Sequence, residues 1–485
     1  MIRIAAVECS AGGEPAGLAA DAHALVVLPA ARTLPADLPA RALWLALLKR
    51  KRLKVADLAK TPLHADLPDG RHVALLMASG DITRFERLTR LRKALAPLLD
   101  EQPDVVAIHS VDAVWADDAV YVALINGLPL PTQKKENARP LTRVRLHSPL
   151  TARDLARTRA LAAGNGLARS LTALPNNVLT PAEYRRRIRH LAKGAKLTVR
   201  EFDLPTLRKM GAGAFCAVAQ GSLNDDAAIV RVSYRPKGAA GGRQVALVGK
   251  GICFDTGGHN LKSARYMQAM HEDMGGSAVA LALTLAAAER KLPVAIDCWL
   301  AIAHNHISPQ AYAQSDIVTA LNGTTIEVVH TDAEGRMVLA DTLTLATRDK
   351  RAPDLVIDFA TLTGAMVVAL GTRYAGVFAT DAALASHALE AGKSSGERVC
   401  VLPDDDDYDA ALDSKVADVL QCTMDGEADH ILAARFLRRF VGERPWLHVD
   451  LSTVSCKGGL GAVGSALTGF GVAWGSDLLD RWLAA

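Results

Sequence analysis

No apolar run in this sequence approaches the roughly 18 residues that a membrane-crossing helix needs, which argues against a transmembrane span. The N-terminus, MIRIAAVECSAGGEPAG, has only a short apolar piece and lacks the pattern of a secretory signal. Cysteine is sparse and unpatterned. Cys9, Cys216, Cys253, Cys298, Cys400, Cys422 and Cys456 stand singly, with no CxxC pair, as expected of reduced thiols in a cytoplasm. A strong excess of one charge is missing too. A net charge of +4 over 485 residues gives little reason to expect nucleic acid. Internal repeats and low-complexity tracts are absent, and the strand and turn VALVGKGICFDTGG lacks both phosphate-binding signatures, GxGxxG and GxxxxGK[ST].

What is present is globular. Hydrophobic residues make up 50% and charged residues 22%, a balance that excludes a disordered chain. At roughly 100–200 residues per domain, two or three domains are expected. In the first 150 residues HALVVLP, HVALLMA and DVVAIHS read as strands, and RFERLTRLRKALAPLL reads as an amphipathic helix, so an α/β domain is predicted. KRKRLK, residues 49–54, is read as a solvated helix face, with a nucleic-acid contact as the alternative. LTARDLARTRALAAGNGLARSLTALP is predicted to be a long connecting helix. Beyond it QVALVG, VAIDCWLAIA, DLVIDFATLT and WLHVDL are almost continuously apolar, which predicts a sheet buried on both faces. DDDDYD, residues 404–409, is expected to be an exposed loop that could attract a cation.

Chemistry concentrates in three segments. VALVGKGICFDTGG is a strand running into a glycine-rich turn, with Lys250 at the strand end and Asp255 in the turn. Ligands gather at the carboxyl ends of strands in open α/β sheets, and Gly257 and Gly258 permit close backbone approach. NLKSARYMQAMHEDMGG places Lys262 in a loop and Asp273 just before a helix expected to begin near Gly275. HTDAEGRMVLAD supplies Asp332 and Glu334. Read as extended chain, residues two apart face one side, and Arg336 reaches the same space from the next helix. Taken singly, each acid is equally well a helix N-cap or first-turn residue. Together, four unpaired carboxylates would repel and raise one another's pKa. Two divalent cations carry the four positive charges that balance them, which is the case for a two-metal centre.

VGKGICFDTGG, NLK, DMGG and TDAEGRMVLAD, with LPNNVLTPAEY and DFATLTGA, resemble the signature segments of the leucyl aminopeptidase (cytosol aminopeptidase) family. The resemblance covers the catalytic part of the chain, while the N-terminal part matches only in its general α/β character. It implies a smaller N-terminal, macro-like α/β domain (1–150), a connecting helix (151–167) and a larger α/β/α catalytic domain with a central mixed sheet (168–485). It implies a two-metal exopeptidase that releases Leu, Met and other N-terminal residues from peptides. The metal ligands would be Lys250, Asp255, Asp273, Asp332 and Glu334, with Asp255 and Glu334 bridging two ions and Asp332 also offering its backbone carbonyl. Zn²⁺ or Mn²⁺ is expected, with Mg²⁺ also admissible for a mostly oxygen ligand set. A ligating lysine must be neutral, so a metal would have to depress the Lys250 pKa far below ~10.4. Lys262 would stabilise the oxyanion. Arg336 is too basic to act as a base and would hold a bicarbonate that carries the proton. A cytoplasmic homohexamer with sites facing an interior cavity is also implied.

The sequence departs from the family pattern in places. His330 replaces an Asn, His271 replaces a basic or small residue, and His304 and His306 replace Glu and Met. Hydrogen bonding behind the ligands, or packing, is the favoured reading, with an extra metal ligand as the alternative. The side-chain pocket keeps Met270, Thr361 and Gly364. It carries Ser452 and Ser455 where Ala and a larger apolar residue are usual, and both serines are expected to admit polar side chains. Three rivals stand against this reading: a DNA-binding or regulatory relative with secondary peptidase activity, an inactive scaffold paralogue, and a two-metal phosphoesterase. Duplex binding that falls steeply with salt would favour the first. The presence of all seven matched metal and catalytic positions disfavours the second. A lysine among the ligands, without histidine, disfavours the third.

Overall fold

Strands buried on both faces need apolar side chains pointing both ways, and the first sheet meets that need by strict alternation. In the strands His23–Leu28 and His72–Met77, Leu25, Val27, Ala74 and Leu76 join one core with the helices Arg84–Asp100 and Ala113–Asn126. Ala24, Val26, Leu28, Val73 and Leu75 join a second core with Trp44 and Leu48 of the helix Arg41–Arg50. The structure is a computed structural model and describes residues 2–10, 22–236, 242–348 and 351–485. Of the N-terminal stretch read for a targeting signal, residues 1 and 11–17 lie outside the described residues. The six strands run in the order Ala6–Ser10, Arg143–His147, Val105–Ser110, His23–Leu28, His72–Met77, Leu63–Asp66. All neighbours are parallel except the last pair. The basic run at 49–54 leaves the end of Arg41–Arg50 for solvent, with Lys49, Arg50, Lys51, Arg52 and Lys54 exposed.

The connecting helix runs from Ala156 to Thr172, inside the stretch read as helical. Its span has a packing reason. Leu161 and Ala162 sit in the N-terminal core, and Leu167, Ala168 and Leu171 sit in the core of the second sheet.

That second sheet has eight strands, in the order Val399–Val401, Ala375–Ala379, Trp446–Asp450, Leu355–Ala360, Gln244–Asp255, Ala295–Asn305, Ala228–Tyr234, Thr198–Asp203. The four central strands, from Trp446–Asp450 to Ala295–Asn305, are mutually parallel, and antiparallel pairings flank them on both sides. This is the expected mixed sheet, with apolar cores on both faces. The helix Gly275–Arg290 lies directly on it. A Cβ at Gly276 would stand 2.1 Å from the Phe359 carbonyl oxygen, so only glycine lets the helix approach so closely. No described helix is long and apolar enough to cross a membrane.

The acidic run departs from its expectation as an exposed loop. Asp406–Leu412 is a 3₁₀ helix, and Asp409 and Asp404 bind the Arg435 guanidinium at 2.7 and 3.3 Å. The run's charge is met partly within the chain, because the helix Asp429–Arg438 presents Arg435 and Arg438 to it.

Candidate active site

The four parallel central strands end together, and the candidate residues cluster at those carboxyl ends. Lys250 and Asp255 lie on Gln244–Asp255, Asn305 ends Ala295–Asn305, Thr361 follows Leu355–Ala360, and Asp450 ends Trp446–Asp450. Asp273 sits in the 3₁₀ turn Met270–Met274 that leads into Gly275–Arg290. All twelve candidates line one cavity of about 610 Å³: Lys250, Asp255, Lys262, Met270, Asp273, Asp332, Glu334, Arg336, Thr361, Gly364, Ser452 and Ser455. A larger cavity of about 840 Å³ lies beside the connecting helix, but it has no carboxylate in its lining and so offers none of this chemistry.

Asp255, Asp273 and Glu334 are buried and bring carboxylate oxygens within 4.8 Å of one another. Lys250 lies among them, with Nζ 2.8 Å from Asp273 and 2.9 Å from Glu334, donating to the Thr361 carbonyl at 2.8 Å. Gly335 makes room for it, since a Cβ there would lie 2.7 Å from Lys250 Cε and Nζ. Asp332 is not part of this trio. The segment read as extended is a turn, and Glu334 is the first residue of the helix Glu334–Thr347, yet both carboxylates line the same cavity. Lys262 joins the halves, 2.9 Å from Asp255 and in contact with Asp332.

The electrostatics follow from crowding in a buried space. Burial raises Glu334, Asp273 and Asp332, and neighbouring carboxylates add to it against the pull of the lysines. Asp332 is pushed up to about 7. Burial alone would lower Lys250, but the charges of Asp273, Glu334 and Asp255 outweigh it and hold the amine above the ordinary lysine range. Lys262 is raised by the same balance against Asp255, Glu334 and Asp332.

The donor set fits divalent metal. Three buried carboxylates converge, and one of their oxygens, Asp273 Oδ2, is buried with no hydrogen-bond partner. Buried carboxylate oxygens left in this way suit a hard or borderline cation.

Three supporting residues escaped the sequence reading. Asn305 Nδ2 donates to Asp255 at 2.8 Å and to the Thr331 carbonyl at 3.0 Å, fixing the bridging candidate. The Gln421 side chain accepts from the backbone of Val329 and His330 and donates to the Ala333 carbonyl at 3.1 Å, so it shapes the 329–333 turn. Asp429 binds Arg336 Nη2 at 2.6 Å, while Arg336 Nη1 donates to the Gln421 carbonyl at 3.0 Å. Each acts from a distant segment through a few hydrogen bonds, which leaves no local sequence pattern.

Of the unusual histidines, only His330 lines the cavity. Its Nδ1 accepts the Asp332 N–H at 3.3 Å. His304 bonds Asn176 at 2.8 Å and stacks on His306 at 4.3 Å, and burial pushes it down to about 3. His271 lies in the Met270–Met274 turn outside the cavity lining. In the side-chain pocket, the Ser452 hydroxyl already donates to the Tyr374 carbonyl at 2.7 Å. Its proton is therefore committed and only its lone pairs can greet a polar substrate. No atom lies within 4 Å of the Cβ position at Gly364, which leaves open space there.

Comparison with known proteins identifies relatives of the chain. Residues 166–474 match the family described as "Cytosol aminopeptidase family, catalytic domain". A "Probable cytosol aminopeptidase" of Rhodopseudomonas palustris (strain BisA53) is 40% identical over 366 residues, spanning 73% of this chain and 70% of the relative. Among solved structures, "Bottromycin maturation enzyme BotP in complex with Mn" shares 31% identity with a TM-score of 0.82, covering 96% of this chain and 100% of that one. The leucyl aminopeptidase of Leishmania major in complex with actinonin shares 25% identity with a TM-score of 0.83, covering 99% and 95%. The chain belongs to the cytosol aminopeptidase family and is a metal-dependent hydrolase that removes amino acids from peptide N-termini.

Proposed function

We propose that Lys250, Asp255, Asp273, Asp332 and Glu334 would hold two divalent ions, Zn²⁺ or Mn²⁺ with Mg²⁺ admissible. The observation that carries this reading is the convergence within 4.8 Å of three buried carboxylates, from a strand end, a 3₁₀ turn and a helix start. Such ions supply a nucleophilic water at neutral pH and polarise the scissile carbonyl. The chain's own residues do the rest. Lys262 presents its ammonium to the developing oxyanion. Asn305 orients Asp255. Arg336, fixed by Asp429 and Gln421, anchors the anion that moves the proton, bicarbonate by family resemblance, which shares the guanidinium with Asp429. Met270, Thr361, Gly364, Ser452 and Ser455 receive the N-terminal side chain, in a cavity open enough for Leu and Met and tolerant of polar residues. The macro-like N-terminal domain (1–150) and the catalytic domain (168–485) assemble as a cytoplasmic homohexamer.

Exopeptidase action needs the substrate's free amine at the metal centre. Leucyl p-nitroanilide is therefore hydrolysed and its N-acetyl derivative is not. Equal rates on both would overturn the assignment.

A further inference from the structure

We propose a second divalent-cation site in the N-terminal domain, formed by His72, Asp66 and Glu101 and suited to Zn²⁺. Among the described residues only two groups of three side chains bring metal-ligating atoms within 4.8 Å of one another: the catalytic trio, and this one. Its members come from separate elements. Asp66 ends the edge strand Leu63–Asp66 and lies directly opposite His72 in the antiparallel pairing. Glu101 is the residue that closes the helix Arg84–Asp100.

His72 Nδ1 stands 2.9 Å from Asp66 Oδ1 and 3.3 Å from Glu101 Oε1. Ligand atoms around an ion bound at about 2.0–2.1 Å lie roughly 2.9–3.4 Å apart, whether octahedral or tetrahedral. Both separations from His72 fall in that range, and all three ligand atoms lie within 4.8 Å of one another. A neighbour already orients the carboxylate. The His72 backbone N–H donates to His23 Nδ1 at 2.9 Å, which puts the His23 proton on Nε2, 3.0 Å from Glu101 Oε2. Glu101 is thus turned with Oε1 towards His72, the arrangement in which a histidine supports a ligating carboxylate from behind.

An independent feature favours a cation at this place. The C-terminal end of a helix carries partial negative charge, and the last turn of Arg84–Asp100 has no basic residue to meet it. Two carboxylates balance one divalent ion. The imidazole nitrogen selects Zn²⁺ and its neighbours over Mg²⁺. Asp66 is largely exposed and Glu101 half exposed, so the ion has an open path and keeps water in its remaining positions. Bound there, it would tie the edge hairpin to the helix end and stabilise the N-terminal domain by ligand linkage.

The test is ion content by plasma mass spectrometry after dialysis against micromolar free Zn²⁺. Wild type is compared with His72→Ala and Asp66→Asn, with peptidase turnover measured in parallel. The exposure of Asp66 keeps the Asp66→Asn fold intact even if His72→Ala unfolds. One ion fewer per chain in Asp66→Asn, with turnover at the wild-type level and a smaller rise in unfolding temperature on adding Zn²⁺, is the expected result. Equal zinc content in wild type and Asp66→Asn overturns the site.

Discussion

Lys250 and Lys262 are both ammonium groups facing carboxylates in one cavity, yet they are assigned different work. Lys250 is enclosed by Asp273, Glu334 and the Thr361 carbonyl, and protein charges alone hold its amine protonated. The same carboxylates that raise it would bind a divalent ion in place of its proton, and the ion's charge would reverse the balance and leave a neutral ligand. Lys262 lies at the Asp255–Asp332 side and is more exposed. It is expected to serve the oxyanion, so Lys262→Ala should lower kcat by about a hundredfold or more while metal content stays at the wild-type level. Metal loss in that variant would move Lys262 into the ligand set. The seven charged candidates were legible in the sequence because they fall in three short motifs, although the strand that carries Lys250 runs on to Asp255 and does not end at the lysine. Asn305, Gln421 and Asp429 were not, because their roles exist only through contacts with remote backbone and side chains.

At the scale of elements, the turn into Glu334–Thr347 matters most. Reading residues 332–334 as extended chain placed Asp332 and Glu334 on one face. The helix begins at Glu334, so one carboxylate joins the buried trio and the other meets Lys262. Periodicity could not distinguish these cases, because three residues before a helix start carry no period of their own. Long apolar runs announced their strands: Ala295–Asn305 and Leu355–Ala360 match theirs closely, while Gln244–Asp255 runs six residues past QVALVG, so that Asp255 ends the strand instead of lying in the turn after it. The acidic run at 404–409 was misread because its partner, Arg435, lies on a helix that the run itself does not announce. Gly335 gives this element its sharpest test. A methyl group there meets Lys250 Cε and Nζ, and overpacking of this kind costs about 1–3 kcal/mol. Gly335→Ala should cut activity severely by displacing Lys250, with far-UV circular dichroism unchanged. Activity at the wild-type level would show that Lys250 does not need that space.

The whole molecule holds the catalytic helix in place partly through Asp341, whose buried carboxylate accepts the backbone N–H groups of Leu321 at 2.7 Å and Phe215 at 2.8 Å. Burial pushes its pKa up to about 6, against those hydrogen bonds. Folded Asp341 keeps its proton to about pH 6, whereas an unfolded aspartate releases it near 3.9. In that window the folded chain binds more protons, so this contribution to stability is fully present below the unfolded value and is lost as pH rises through the folded one. The stability advantage of wild type over Asp341→Asn should therefore shrink by roughly 2–3 kcal/mol between about pH 4 and pH 7, read from paired denaturant unfolding curves. A constant difference across that range would place the carboxylate's titration elsewhere. The central claim, that the buried carboxylates form a metal centre driving peptide hydrolysis, is tested most directly by titrating metal-stripped protein with Mn²⁺ or Zn²⁺. Bound ions and leucyl p-nitroanilide turnover are followed together, beside Glu334→Gln. The account predicts turnover that rises with ion binding in wild type, and a variant that binds two fewer ions and is inactive. Full turnover without ions, or wild-type ion content and rate in Glu334→Gln, would contradict it.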